Sequence, residues 1–430
     1  MRSARVLSYP DTAMVKIRDS VVSLIGVVLG QGVFFLSITL LGREYGPGIL
    51  GRFNADLAVG TLAGTLLALR YELACVSDKP AQSFNALIHV LALVLGVTVI
   101  GMTAILCSAD VALWSVGIYA ASLFVQNLTG LYLNSLRRYG LIALCKIVVN
   151  VGFAAYLVAP SQRSDHVAVF GIYALASAVV AFAFLVCALV HGWRSGYSFR
   201  IGGRFYRDHS RYVKYILPST LCASVLIYSL SIAIPAWYSA EQAGYFAAAY
   251  RFGFFPVSLI GQGIGGVFRR DAIEATAGSH TKMTLEAVFK VYARGLLSIA
   301  VAYALLGALL FDQLIKILFG QRWDGSAIFF YMMLPMFAAQ IVYVPLSQVF
   351  LVAQRQRLDF CIQLASGCSL LIVLYAVHLI DCSVTRSVFA FSVVGTACTL
   401  ASIFITMRVA NVNWLSRWLS NGVGDLNGSA

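Results

Sequence analysis

Four cationic side chains fall inside long apolar stretches of this 430-residue sequence: Arg70, Lys146, Arg251 and Lys316. A cation in hydrocarbon is costly, and it persists where it faces a watery cavity or an anionic partner. Arg70 is followed by Glu72 in LRYELACV. On a continuous helix two such positions differ by about 200°, which keeps the side chains from facing one direction or pairing easily. Glu72 then needs another base, and Lys146 is the best candidate in the same half of the chain. Arg251 lies within YRFGFF, too deep to reach the surface easily past its aromatic neighbours. Its planar guanidinium makes paired hydrogen bonds to an oxyanion. Structural roles compete at each position. Arg70 can run its stem along lipid towards the headgroups, and Arg251 can pair with Asp56 or Glu241. Asp56 is a candidate for coupling or gating as well as for such a pair. Lys316 and Asp312, one turn apart, read as an i,i+4 pair.

Other constellations are weak. None of the nine cysteines shows CxxC spacing, and the six histidines show no HxxxE-type spacing, so no metal site, cofactor or disulfide framework is expected. No DxD-like cluster stands on a sizeable loop, as a glycosyltransferase or polymerase would need. The glycines of GQGIGG (261–266) follow no strand, and in an apolar helix they serve close packing or bending. Gln31, Asn127, Asn150, Gln262, Gln340 and Gln348 suit hydrogen bonds between helices, although a sugar-lined path would use the same residue types.

The elements that must position these groups follow from composition. The chain is 60% hydrophobic and only 11% charged, with mean hydropathy +0.83, whereas soluble domains average roughly 25% charged residues. Apolar runs recur at about the 20-residue length that crosses a hydrocarbon core, and backbone in lipid must pair internally, so they form helices. The reading is an all-α polytopic membrane protein. Twelve spans are expected near 19–42, 55–76, 84–107, 111–133, 141–160, 167–190, 216–238, 245–268, 296–320, 326–352, 360–380 and 388–408. The first run, Ser20 to Leu41, is too long for a signal-peptide core and reads as a retained span.

With the N-terminus inside, segments facing the opposite side hold only five basic residues, Arg43, Arg52, Arg163, Arg322 and Arg386. Most of the rest lie in segments facing the cytoplasm, which sets the orientation. The net charge of +13 thus reflects topology and not nucleic-acid binding. Both termini are expected in the cytoplasm. The basic stretch 191–215 divides two six-helix lobes, 1–190 and 216–408. The tail 409–430 reads as a short interfacial helix carrying Trp414 and Trp418.

The halves look duplicated. GRFNADLAVG (51–60) matches GYFAAAYRFG (244–253) at Gly51/Gly244, Phe53/Phe246, Ala55/Ala248 and Gly60/Gly253. RRYGLIAL (137–144) and RQRLDFCI (355–362) both put basic residues before a span running outward. Corresponding spans agree in direction, so the pseudo-repeat is parallel.

Three patches carry a resemblance: LGREYGPGILGRFNADLAVGTLAGTLLALRYELACV (41–76), YFAAAYRFGFFPVSLIGQGIGGVFRRDAIEA (245–275) and LPMFAAQIVYVPLSQVFLVAQRQR (334–357). Each is similar to the corresponding part of the bacterial polysaccharide-biosynthesis flippases of the multidrug/oligosaccharidyl-lipid/polysaccharide exporter superfamily. The resemblance implies a MATE-like fold, two six-helix lobes around a cavity that opens alternately to each side of the bacterial inner membrane. It implies an undecaprenyl-diphosphate-linked oligosaccharide as cargo, a proton or Na+ gradient as a driving force, and association with polysaccharide assembly proteins. Arg70, Glu72, Lys146 and Arg251 are then the expected translocation-cavity residues, with an arginine or lysine receiving the diphosphate. An ion-coupled multidrug or cation antiporter on the same fold is the main alternative, but a cationic drug favours acids in the cavity, and here bases outnumber them at membrane depth. A membrane polymerase, ligase or glycosyltransferase is the third reading.

Overall fold

A computed structural model describes residues 9–77, 79–108, 111–159, 166–199, 201–276, 284–380 and 382–411. Among them the chain is helical and contains no strand. Eight helical stretches of the described residues are long and apolar enough to cross a membrane, from Val111–Ser135 through to Val384–Val409. The first expected span falls on α1 (Tyr9–Leu66) and the second begins on it, the third falls on α2 (Pro80–Ser108) and the eighth on α8 (Ala240–Thr276). The remaining eight fall on α3 (Val111–Ser135), α4 (Tyr139–Val158), α5 (His166–Arg194), α7 (Leu217–Trp237), α9 (Leu285–Phe319), α10 (Gly325–Leu346) with α11 (Val349–Val352), α12 (Gln356–Leu379) and α13 (Val384–Val409). The expected interfacial helix with Trp414 and Trp418 lies outside the described residues.

At 58 residues α1 is far longer than one bilayer crossing. It is broken at Gly46, whose φ of 82° and ψ of 178° are open to glycine and closed to other L-residues, with Pro47 following. The sequence GPG thus divides the first expected span from the second.

The chain separates into two compact units, Met1–Gly244 with Leu318–Gly320, and Tyr245–Ile317 with Gln321–Ala430. In the first, α3 packs on α5, α1 on α3, α4 and α7, and α2 on α3. An aromatic knot holds α1 to its neighbours. Phe53 stacks on Phe153 of α4 at 5.5 Å and meets the edges of Phe170 and Tyr173 of α5 at 5.4 and 5.5 Å. A second core lies nearer the expected cytoplasmic end, where Tyr71, Cys75, Phe84, Leu87, Phe124, Leu128 and Tyr132 are buried together. In the second unit α13 packs on α10 and α12. There Tyr250 stacks on Phe254 and meets Phe337, while Phe311 stacks on Phe330.

The first matched pair of the repeat meets in space. A Cβ on Gly51 would collide with the carbonyl oxygen of Ala240, and a Cβ on Gly244 with the carbonyl oxygen of Pro47. Pro47 and Ala240 each stand four residues before the glycine of their own copy. The contact is therefore reciprocal, the pattern that two copies of one motif make about a local twofold.

The second correspondence, basic residues just before a span, is a matching corner in the two copies. Arg137 (φ 56°) and Gln354 (φ 54°) are the left-handed residues at the two corners. Arg138 N–H donates to Leu133 O at 2.9 Å and Arg355 N–H to Phe350 O at 2.8 Å, the 6→1 bond of a Schellman turn. The following helices begin at Tyr139 and Gln356. Arg138 is thus the counterpart of Arg355.

Candidate functional site

The expected cavity residues are placed by three elements of the first unit and one of the second. Asp56 is half-buried on α1, beyond the kink. Lys146 is exposed on α4, with its stem against α1, where a Cβ on Gly30 would stand 3.3 Å from Lys146 Cβ. One turn on, Asn150 donates from Nδ2 to Lys146 O at 2.8 Å, and its own carbonyl accepts from Ser37 Oγ at 3.0 Å. The side-chain oxygens of Gln31 and Asn150 are buried without a hydrogen-bond partner among the described residues. Arg251 is half-buried on α8 of the second unit, among the expected aromatic neighbours Tyr250, Phe252 and Phe254. Lys316 and Asp312 form the expected pair at 2.8 Å, and Asp324 adds a second carboxylate at 3.5 Å.

Arg70 and Glu72 overturn one expectation: they pair with each other. Arg70 Nη1 lies 3.0 Å from Glu72 Oε1, with the carboxylate side chain only 8% exposed and the guanidinium 23%. The 200° argument fails because no α-helix runs through these residues. Helix α1 ends at Leu66, Leu69 and Arg70 take the left-handed conformation at φ 49° and 65°, and Tyr71–Cys75 form a 3-10 turn. Reversing the twist brings side chains two apart onto one side. Left-handed geometry costs about 1 to 2 kcal/mol per L-residue, so it must be held by contacts elsewhere. Ser83 Oγ donates to Cys75 O at 2.7 Å, and Tyr71 OH donates to Tyr206 O at 3.3 Å. Glu72 is therefore committed to Arg70, and the expected Glu72–Lys146 bridge does not form. Two polar atoms of the pair, Arg70 Nε and Glu72 Oε2, are buried without a partner among the described residues. The pair is thus undersaturated in hydrogen bonds and can take up one further donor and one further acceptor.

Tyr206 belongs to a feature that the basic composition of 191–215 conceals. From the six-residue helix α6 (Gly203–Asp208) through the π turn Tyr212–Ile216 the chain forms a strap across the end of the first unit. Phe205, Tyr206, Tyr212 and Val213 pack against the core around Tyr71 and Phe84. Phe205 stacks on the His89 ring at 4.4 Å, Tyr206 OH donates to His89 O at 2.8 Å, and Gly202 N–H donates to His89 Nε2 at 3.2 Å. Burial raises the Tyr206 hydroxyl above the ordinary phenol value, with the Tyr71 phenol adding to the effect, so it remains a donor at neutral pH. The signal in the sequence is the interleaving of aromatic and basic residues in RFYRDHSRYVKY, 204–215.

With this geometry in view, known proteins can be set beside the chain. Residues 166–328 match the family described as polysaccharide biosynthesis protein. That segment runs from α5 into α10 and contains Arg251 and the GQGIGG stretch. None of the curated proteins matches the chain significantly in sequence. Among solved structures, an inward-facing multidrug resistance MATE family transporter of the MOP superfamily superposes with a TM-score of 0.67 at 15% identity, over 91% of this chain and 98% of that one. The lipid II flippase MurJ, in an inward closed conformation, gives 0.66 at 12% identity over 92% and 90%. The MATE multidrug transporter DinF-BH gives 0.60 at 13% over 96% and 100%. At these identities the shared property is the fold, which each of the three structures shares with this chain over at least 91% of its length.

Proposed function

We propose that this protein is a membrane transporter that flips an undecaprenyl-diphosphate-linked oligosaccharide across the bacterial inner membrane by alternating access. One observation carries the reading. A segment of the polysaccharide biosynthesis family stands within a chain whose fold is shared, over 92% of its length, with a lipid II flippase. The physical task is to carry a polar glycan and two phosphates past hydrocarbon while the prenyl tail stays in lipid. Cations at membrane depth reduce the cost for the phosphates, and arginine matches their oxygens with a planar fork. Arg251 is the residue assigned to the diphosphate, with Lys146 as a second cation. Arg70 is held by Glu72 and becomes available when that pair opens. Asp56 is the assigned coupling or gating carboxylate, with H+ or Na+ as the driving ion. No bond is made or broken in such a cycle, so no catalytic residue is assigned.

Replacing Arg251 by alanine is expected to abolish export of surface polysaccharide while the protein stays in the membrane at normal abundance. Normal export by that variant would remove Arg251 from the site. A second reading, an ion-coupled multidrug antiporter, is favoured by the multidrug transporters that share the fold. Gene deletion separates the two. Intact surface polysaccharide together with new sensitivity to cationic dyes would replace the flippase by the antiporter.

A further inference from the structure

The Arg70–Glu72 pair is held by less than its charges allow. A single hydrogen bond joins it, from Nη1 to Oε1, and Nε lies buried without a partner among the described residues. The strong form of such a pair is bidentate, with two parallel N–H donors meeting two oxygens. The turn that brings the pair together is itself costly, since Leu69 and Arg70 both stand in the left-handed region. Strain of this kind persists only where surrounding structure holds it.

The strap supplies that hold, and it grips the residue between the two charges. Tyr71 OH donates to Tyr206 O at 3.3 Å, and the Tyr71 ring meets Tyr206 edge-on at 5.4 Å and lies 6.4 Å from Phe205. A second anchor stands on α2, where His89 stacks on Phe205, accepts from Gly202 N–H through Nε2 and receives the Tyr206 hydroxyl on its carbonyl oxygen. Tyr206 therefore joins the anchors, its carbonyl holding Tyr71 and its hydroxyl holding His89. All of these groups belong to the first unit.

The two charges are unequally covered. Arg70 keeps 23% of its side chain exposed and Glu72 only 8%, so an oxyanion can reach the guanidinium from solvent while the carboxylate stays covered. Two phosphate oxygens can meet Nε and a neighbouring Nη together, the fork that Glu72 does not use. Glu72 is then left buried without its cation, which is costly, and returning it to water requires the turn to open. Tyr71 lies in that 3-10 turn and is drawn away from the strap as it opens. We infer that the strap and the Arg70–Glu72 turn form one two-state latch, closed by the ion pair and opened by a phosphate-bearing anion at Arg70. Identifying that anion with the diphosphate of a prenyl-linked cargo rests on the function proposed above. Strap docking and anion binding then oppose each other, each weakening the other by the same factor.

The test uses the full chain in nanodiscs of phosphatidylcholine and reads hydrogen–deuterium exchange of 67–76 and 203–216. Pyrophosphate is the probe, with sodium chloride of equal ionic strength as the control. The amides of Leu69, Tyr71, Leu73 and Val76 are bonded within the turn, so their exchange reads its opening. Tyr206→Phe removes the hydroxyl that bonds His89 and keeps the ring against Tyr71. It should speed exchange of 67–76 about fivefold, the worth of one hydrogen bond, and tighten pyrophosphate by up to the same factor. Faster exchange of 203–216 with 67–76 unchanged would overturn the latch. Pyrophosphate should speed exchange of 203–216 in the unaltered protein and add nothing in Arg70→Gln. No response, slower exchange through binding to the strap's own arginines, or an equal response in Arg70→Gln would each overturn it. Glycan flipping is read separately in proteoliposomes. Absence of flipping by the unaltered protein with the latch response intact strikes the proposed transport and leaves the latch standing, and flipping without the latch response does the reverse.

Discussion

Past Gly51, helix α1 runs to Leu66 and then breaks, with leucine and arginine forced into the left-handed region. Past the matching Gly244, helix α8 runs without interruption to Thr276, through Pro256 and all four glycines of GQGIGG. Local propensity points the other way, since glycine and proline belong to α8 and neither stands at the α1 break. The difference lies in what each end touches. The α1 end is held by the strap through Tyr71 and Tyr206 and closed by Ser83, and the break lets Glu72 reach Arg70. The α8 end instead lies along α9, with Phe268 buried against Phe289 and Tyr292, and Tyr292 OH donating to Asp271 at 2.6 Å. Two copies of one motif thus begin on the same glycine contact and diverge where long-range partners differ.

The largest expected effect breaks the shared beginning. Gly51→Val should collapse the yield of monodisperse protein, because its Cβ has backbone on the other side and nothing there can yield; overpacking of this kind costs about 3 kcal/mol or more. Gly244→Val should do equal damage, and the double variant little more than either, because both substitutions break one contact. Additive losses measured by size-exclusion yield or thermal unfolding would show that the two glycines act independently.

Glu72→Ala comes next. It leaves a mostly buried guanidinium without its anion, and since Arg70 keeps 23% of its side chain exposed, the cost is about 2 kcal/mol, below that of a fully buried pair. Exchanging the charges, Arg70→Glu with Glu72→Arg, should recover part of it. Thermal unfolding of the purified protein reads both. No loss in Glu72→Ala would mean that the strap alone holds the turn.

The smallest effects are gains, and they sharpen the contrast. Leu69→Gly should stabilise by up to about 1 kcal/mol, by relieving a left-handed leucine that is already exposed. Gly266→Ala should also stabilise by about 1 kcal/mol, because its Cβ would meet nothing within 4 Å and alanine is the better helix former. Destabilisation by Gly266→Ala would show that α8 bends at its glycines in another state.

Much of the fold was legible from the chain because membrane physics leaves few options. An apolar run of bilayer length must be a helix, and each of the twelve expected spans falls or begins on one. The Gly51/Gly244 match was legible too, because a position where backbone touches backbone admits only glycine. The candidate site was read less well. The Arg70–Glu72 pair was missed because the helical offset was carried past Leu66, and the residues that end the helix, Ser83 and Tyr206, are remote from it in sequence. In the strap, the basic residues speak for orientation, and the aromatics between them have packing partners around Tyr71 and Phe84 that no local pattern names.

By itself, then, the sequence determined the membrane class, the places where helices run and the glycines that two copies of a motif use to meet. Those properties follow from local chemistry, from transfer out of water and from the space that a Cβ occupies. Only the tertiary structure decided where α1 stops, which base Glu72 holds and that 203–216 folds back over the end of the first unit. Each of these is set by a contact between distant residues that outweighs the preference of the residues beside it.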